Sequence, residues 1–151
     1  WGRSFKTLKS QLRPVSQINE KINVVLNSVK RIDRNTYQVT GSDPYIVFLI
    51  DSLKLNGKDA GILAFDFSCH QGVGQPILNI HWGSKSAPMS EATVVQFKAE
   101  NGKLLIPLDA APRWLNAKSI NSIRFDIDNP ETCSTFSLSN IVFSQRSVLS
   151  P

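Results

Sequence analysis

Short apolar runs separated by turn-forming residues dominate the chain from residue 41 to residue 146. The spacing between runs is roughly 10–15 residues, with Gly, Pro, Asn and Ser in between, as in antiparallel sandwiches. This pattern predicts a mainly β protein, an antiparallel sandwich over residues 35–146 followed by a short tail over residues 147–151. The predicted strands cover residues 45–50, 62–69, 76–82, 93–99, 103–109, 120–128 and 136–143.

Alternation within these runs assigns side chains to the two faces of each strand, because successive residues of a strand point to opposite sides. Apolar residues take the inward positions, and polar residues between them point outward. The outward polar set is Asp66, Asn79, His81, Gln96 and Arg124. In the last run the apolar phase slips by one residue near Ser139 and Asn140, which predicts a β-bulge there.

Residues 1–34 follow a different period, with apolar residues three and four positions apart and Asn19 in one polar slot. The apolar members are Phe5, Leu8, Leu12, Val15, Ile22, Leu26 and Val29. This heptad-like pattern predicts a basic amphipathic helical segment or linker, kinked or restarted at Pro14. Such a helix either packs on the sandwich or self-associates through residues 4–31 as a coiled coil, with Asn19 fixing the register.

Positive charge is concentrated in the same segment. The chain of 151 residues has a net charge of +5, and residues 1–34 hold eight basic and two acidic residues, a net charge of +6. The remainder holds nine basic and ten acidic residues, so the sandwich is near neutral and no nucleic-acid surface is expected on it.

Basic residues next to Trp1 are also typical of a juxtamembrane position. No apolar run reaches the roughly 20 residues needed to span a bilayer. The sequence opens on Trp1 rather than Met, so we expect a fragment whose membrane attachment lies in segments outside it. The expected location is the extracytoplasmic side of a membrane in the cell envelope.

Catalytic motifs are missing from the sequence: it contains no G-x-S-x-G, P-loop, H-E-x-x-H or G-x-G-x-x-G pattern. Neither of its two histidines, His70 and His81, lies beside a nucleophile in a recognisable motif. The fragment itself is therefore predicted to be non-enzymatic.

Two further sets of residues are candidates for bonds that stabilise the fold. Asp126, Asp128 and Glu131 concentrate oxygen ligands around one loop, a weak candidate for structural Ca²⁺; no other cofactor is expected. Cys69 and Cys133 lie at a strand end and before another strand. They either form a disulfide, if those strands are neighbours, or remain two independent thiols.

The outward residues Asn79, His81, Gln96 and Arg124 form a candidate binding site if their strands lie in one sheet. Their amides, imidazole and guanidinium offer the donors and acceptors that sugar hydroxyls require. Trp114, in a loop next to a proline, is predicted to supply a ring that stacks on a sugar face. Alternatively, these are ordinary solvent-facing residues of an amphipathic sheet.

A series of short segments resembles a known family. The segments are D-P-Y-I-V-F from Asp43, I-H-W-G from Ile80, S-E at Ser90, K-L-L-I-P-L from Lys103, I-R-F-D from Ile123 and L-S-N-I from Leu138. Their order resembles the galactose-binding-like jelly-roll domains, similar to carbohydrate-binding modules, of bacterial surface-polysaccharide biosynthesis proteins. The resemblance implies a jelly-roll sandwich with a non-catalytic, glycan-related role.

Two functional hypotheses follow from these observations. The first is an accessory carbohydrate-binding-like domain of a membrane-associated glycan synthesis or transfer protein, whose partner is a glycan or a glycan-bearing substrate. The second is an oligomerisation or protein-interaction domain assembled through the N-terminal helix.

Overall fold

The computed structural model describes residues 12–72 and 74–146. Within these residues the chain forms eleven strands, one short α-helix of a single turn and four short 3-10 helices. The strands are β1 Leu12–Gln17, β2 Asn23–Asn27, β3 Val29–Arg31, β4 Thr36–Val39, β5 Tyr45–Leu49, β6 Ile62–Gln71, β7 Ile77–Ser84, β8 Val94–Lys98, β9 Gly102–Pro107, β10 Ile120–Ile127 and β11 Thr135–Arg146. The helical turn is α1, Pro112–Leu115, and nothing in the described ranges is a helix long and apolar enough to cross a bilayer.

The strands form two antiparallel sheets, as the sequence predicts. One sheet has five strands in the order β2-β5-β10-β7-β8. The other has six, in the order β3-β4-β11-β6-β9, with β1 also paired to β11. Since β6 pairs along most of one side of β11, strands β4 and β1 share the other side.

The core lies between the sheets and is built from the inward residues of each strand. Phe65 of the six-stranded sheet contacts Phe125 of the five-stranded sheet edge to face, with ring centroids 5.3 Å apart. Fully buried Leu63 and Phe143 lie on the first sheet, and fully buried Ile80 lies on the second. Burial of these side chains supplies the main driving force for packing the two layers together.

The predicted N-terminal helix is wrong for the residues the structure describes, because residues 12–31 contribute β1, β2 and β3 to the sheets. Val15 is 42% exposed and Asn19 lies in an exposed turn, so no buried heptad seam exists there. The coiled coil through this segment is wrong for the same reason. The part of the prediction that covers residues 4–11 lies outside the described residues.

The predicted bulge in β11 is confirmed. Its register against β6 shifts between Ser139 and Val142, and Asn140 has a φ of 52°. The Asn140 amide donates a hydrogen bond to Asp66, with Nδ2 2.6 Å from Oδ2. Asn is one of the few residues that adopts this left-handed conformation readily, which explains its presence here.

Cys69 and Cys133 are joined by a disulfide, with their Cα atoms 6.0 Å apart. Cys69 lies in β6, opposite Phe136 of β11, and Cys133 comes just before β11 begins. The bond therefore links two neighbouring strands of the six-stranded sheet at one end. Of the two alternatives that the sequence leaves open, the structure shows the bridge.

Candidate functional site

The outward side chains of the five-stranded sheet form an ordered array, which we call the five-stranded face. Strand register places them in rows across the sheet, since residues directly opposite on neighbouring strands lie side by side. One row is Val25, Val47, Arg124, His81 and Val94. The next row is Asn27, Tyr45, Asp126, Asn79 and Gln96. The four predicted strand residues thus lie together in the two rows.

Arg124 is held in place from two directions. Its Nε and Nη2 donate to the two carboxylate oxygens of Asp126 at 2.5 and 2.6 Å. Its guanidinium carbon lies 3.8 Å from the centroid of the Tyr45 ring, a close cation–π contact. The hydrogen bond to Asp126 raises the pKa of Arg124 above its ordinary value, so the group is a fixed cation.

Asp126 lies at the centre of the polar part of the face. It is only 9% exposed, and its Oδ2 lies 3.9 Å from Nε2 of His81. Burying a carboxylate without a partner is costly in free energy, and the two hydrogen bonds from Arg124 compensate this cost. Arg124 and Asp126 therefore form one hydrogen-bonded pair with few rotational options, and His81 lies beside it.

Asn79 and Gln96 form a second polar pair beside that group. Gln96 Nε2 donates to Asn79 Oδ1 at 2.8 Å across strands β7 and β8. This leaves the Asn79 amide nitrogen and the Gln96 amide oxygen without a hydrogen-bond partner within the described ranges, 12–72 and 74–146. The pair thus presents one donor group and one acceptor to solvent, the combination that a sugar hydroxyl can use.

Trp114 does not contribute to the face, contrary to the sequence prediction. It lies in α1 and is 0% exposed, and its indole Nε1 donates to the carbonyl oxygen of Ala60 at 3.0 Å. Its ring meets Trp82 edge to face with centroids 5.4 Å apart. Trp114 is the buried position of this single helical turn, while Arg113 and Leu115 are exposed.

Asp66 also lies elsewhere. It belongs to β6 in the six-stranded sheet, where it accepts from Asn140 and lies 3.7 Å from the Lys103 ammonium. The outward polar set of the sequence is therefore divided between the two sheets. Alternation predicts that these residues point outward, but it does not predict which sheet carries each strand.

The weak calcium candidate of the sequence is not assembled by the structure. Asp126 is bonded to Arg124 on the five-stranded face, while Asp128 and Glu131 are exposed in the loop beyond β10. Asn129 uses its side-chain oxygen to accept from the Ile77 amide at 2.7 Å. Across the described residues, no three His, Cys, Asp or Glu side chains are grouped as metal ligands.

Tyr45 and Asp126 are the two residues of the face that contact Arg124, and the sequence did not assign them to the binding site. Both were accessible to sequence reasoning. Tyr45 alternates with inward Ile46 and Phe48, so its ring must point outward. Asp126 follows Arg124 by two residues on the same strand, so the two side chains share a face and can pair.

The face can bind a ligand by apolar contact and by hydrogen bonding. Apolar Val25 and Val47 lie on one side of Arg124, and Val94 lies beyond His81 at the other end of the row. A ligand with a flat apolar surface and several hydroxyls would match this alternation of apolar and polar positions.

Several solved structures with a similar fold are carbohydrate-binding modules. A family 29 carbohydrate-binding module matches with a TM-score of 0.58 and 14% identity, over 93% of this chain and 92% of its own. A family 29 module in complex with cellulohexaose matches with a TM-score of 0.58 and 14% identity, over 93% and 94%. The family 11 module from Clostridium thermocellum, in complex with a β-1,3-1,4-mixed-linked tetrasaccharide, has a TM-score of 0.51 and 16% identity, over 88% and 89%.

No family model and no curated protein matches the sequence. At these identities the structural likeness establishes the fold alone. The chain thus has the two-sheet fold found in carbohydrate-binding modules of families 29 and 11, over nearly its whole length.

Proposed function

We propose that this chain is a non-catalytic module that binds a saccharide across the five-stranded face. The observation that carries the proposal is the cluster of Arg124, Asp126, His81, Asn79 and Gln96 in two adjacent rows of one sheet. The similar fold of carbohydrate-binding modules supports it.

Preorganisation of Arg124 is the main physical support. Its orientation is fixed by Asp126 and Tyr45 before any ligand arrives, so binding costs little side-chain entropy. Two of its nitrogens are used by Asp126, and Nη1 has no hydrogen-bond partner within residues 12–72 and 74–146. That nitrogen can donate to a sugar oxygen. A hydrogen bond of this charged kind contributes about 1.5–3 kcal/mol.

The biological setting we propose is that of an accessory module in a membrane-associated protein of glycan synthesis or transfer, located on the extracytoplasmic side of the cell envelope. The resemblance of the segments that begin at Asp43, Ile80 and Ile123 to domains of surface-polysaccharide biosynthesis proteins supports it. Attachment to the membrane would come from segments outside this sequence.

Binding is tested first on a glycan array that includes cellohexaose and mixed-linked glucan tetrasaccharide. The saccharides that bind are then titrated by calorimetry against three variants. We expect Arg124→Ala to weaken binding about 10- to 100-fold. Gln96→Ala should weaken it about 2- to 10-fold, because one neutral hydrogen bond is lost.

Gln38→Ala is the matched control, since Gln38 is an exposed glutamine on a strand of the other sheet. It should leave the affinity unchanged. Arg124→Ala leaves the Asp126 carboxylate unpaired, so its thermal unfolding is also measured. A folded variant with weaker binding shows that the lost affinity is not caused by unfolding. Unchanged affinity in both Arg124→Ala and Gln96→Ala, or no binding to any saccharide, would contradict the proposal.

A further inference from the structure

A groove of about 1020 Å³ opens at the edge of the sandwich, beside β2. Its position follows from the topology. β4 pairs with residues 135–137 of β11 and β1 pairs with residues 142–146, so the bulged segment between them has no neighbouring strand on that side. The turn after β1 and the turn between β3 and β4 form the two walls.

The floor of the groove is apolar and its rim is cationic. Tyr37, Phe48 and Ile141 form the floor, and all three are buried. Among the side chains that line the groove, three are cationic, namely Lys21, Arg31 and Arg34, and one is anionic, namely Glu20. The volume is that of an ordinary small-molecule site, and the charge favours an anion.

Arg31 is oriented by the floor. Its Nη2 donates to the Tyr37 hydroxyl at 3.1 Å, and its guanidinium lies 5.5 Å from the centre of the Tyr37 ring. Because the Tyr37 ring is buried, it is a rigid support for the cation. Arg31 is thus presented at the rim with most of its donors still available.

Arg34 forms an ion pair with Glu20 across the mouth of the groove. Both side chains are well exposed, so the pair contributes little to stability, on the order of 0–1 kcal/mol. A pair this weak can open readily. Glu20 therefore occupies the position on Arg34 that an incoming anion would take.

The groove borders the five-stranded face. Val24 of β2 lines the groove, while the next residue, Val25, points to the opposite side and belongs to the face. Only the width of one strand separates the two surfaces. A saccharide that crosses the face towards β2 would reach the groove rim.

We propose that this groove is a second subsite, which binds an acidic sugar unit through its carboxylate or sulfate group. The inference rests on the proposed function, since it takes the ligand to be a saccharide. The anion displaces Glu20 from Arg34 and binds Arg31 and Arg34 together, while Asn19 and Asn35 in the walls face the sugar hydroxyls.

The test uses ligand pairs that differ only in charge. Oligosaccharides of galacturonate, glucuronate and mannuronate are compared with their carboxyl-reduced forms, and a sulfated galactan oligosaccharide with its desulfated form. We expect the charged member of at least one pair to bind about tenfold more tightly, and the advantage to fall with added salt. Which pairs respond distinguishes carboxylate from sulfate as the preferred group.

Two variants with opposite expected effects identify the groove as the source of this preference. Arg34→Gln should weaken binding of the charged member about three- to tenfold, whereas Glu20→Gln should strengthen it about threefold by removing the competing carboxylate. Lys58→Gln, an exposed lysine in the loop between β5 and β6, removes one positive charge elsewhere and should change nothing.

Equal affinity for charged and neutral members, or a loss in both Arg34→Gln and Glu20→Gln, would overturn the groove proposal. So would absence of binding to every charged saccharide. If neutral saccharides still bind and respond to Gln96→Ala, the proposed function of the five-stranded face stands while the second subsite fails. If Arg34→Gln no longer prefers the charged saccharide but binds the neutral one as tightly as before, the result supports the groove as the second subsite.

Discussion

Trp114 connects a surface turn to the centre of the core. Its ring stacks on Phe143 with centroids 6.1 Å apart, and its indole nitrogen satisfies the Ala60 carbonyl. Large aromatic side chains in such positions carry a considerable share of the packing energy.

We therefore expect Trp114→Ala to lower the free energy of unfolding by about 3–5 kcal/mol, because it creates a cavity and leaves the Ala60 carbonyl unpaired. Saccharide binding should persist wherever the variant stays folded. Leu115→Ala, one residue further and 42% exposed, is the control and should change stability by only about 0.5 kcal/mol. Urea denaturation measures both, and similar small effects would contradict this assignment of Trp114 to the core.

The Tyr37 phenol gives the folded state a dependence on alkaline pH. Burial raises its pKa above the ordinary value of 10.0, and Arg31 opposes this rise only in part. As the pH rises, the phenol ionises in the unfolded chain before it ionises in the folded protein. Its contribution to stability is therefore fully present below about pH 10 and is lost as the pH rises through the pKa of the folded state.

The expected result is a difference in stability between wild type and Tyr37→Phe that is constant from pH 7 to about pH 9 and shifts in favour of the variant above about pH 10. Urea denaturation at each pH measures it, and comparison with the variant cancels the titration of lysines. A difference independent of pH would show that Tyr37 ionises alike in both states.

At the scale of elements, β1 is an edge strand with features that discourage further pairing. It contains Pro14, which cannot donate to a neighbour, and its register against β11 shifts between Pro14 and Ser16. Prolines and irregular register are common ways to protect sheet edges from aggregation. β1 itself covers the end of β11.

Deletion of residues 1–17 should therefore expose the edge of β11, lower the free energy of unfolding and promote aggregation. Deletion of residues 1–11, which retains β1, is the comparison that isolates the strand. Thermal unfolding and light scattering measure the two effects. Equal behaviour of the two truncations would mean that β1 adds nothing to the fold.

The same elements show where sequence reasoning succeeded. Every apolar run predicted between residues 45 and 143 corresponds to a strand, because short apolar runs bounded by turn residues are typical of strands in a sandwich. Asn79, His81, Gln96 and Arg124 point outward because successive residues of a strand point to opposite sides, and the pairing of β7 with β8 and β10 brings them onto one face. Their role in binding stays a prediction.

The helix predicted for the N-terminal segment is wrong because the strands β1, β2 and β3 have little apolar alternation in their own sequence. Leu12 pairs with Arg146, far away in sequence, and edge strands are exposed on more than one side. Apolar residues three and four apart then arise from two strands and a turn as easily as from a helix. The prediction that Trp114 stacks on a sugar is wrong for a different reason, because alternation does not assign side-chain directions in loops.

For the whole molecule, the basic charge of residues 1–34 acquires a definite location. Three of its eight cations, Lys21, Arg31 and Arg34, line the groove. Arg3, Lys6 and Lys9 lie outside the described residues. In the sequence, this positive charge is typical of a position at a membrane surface. In the structure, part of it lines the groove beside the five-stranded face.

Leu12, the first residue of β1, and Arg146, the last residue of β11, are partners in neighbouring strands, which is the geometry that a circular permutation requires. Paired residues of antiparallel strands have Cα atoms about 4.5–5.5 Å apart, so a few glycines could join Arg146 to Leu12 in a chain that lacks residues 1–11 and 147–151. A circular permutant opened between exposed Glu91 and Ala92 should fold with every strand retained and bind as the parent does. Circular dichroism measures the strand content and calorimetry the affinity. A permutant that fails to fold would contradict the prediction and show that the order of the strands along the chain matters.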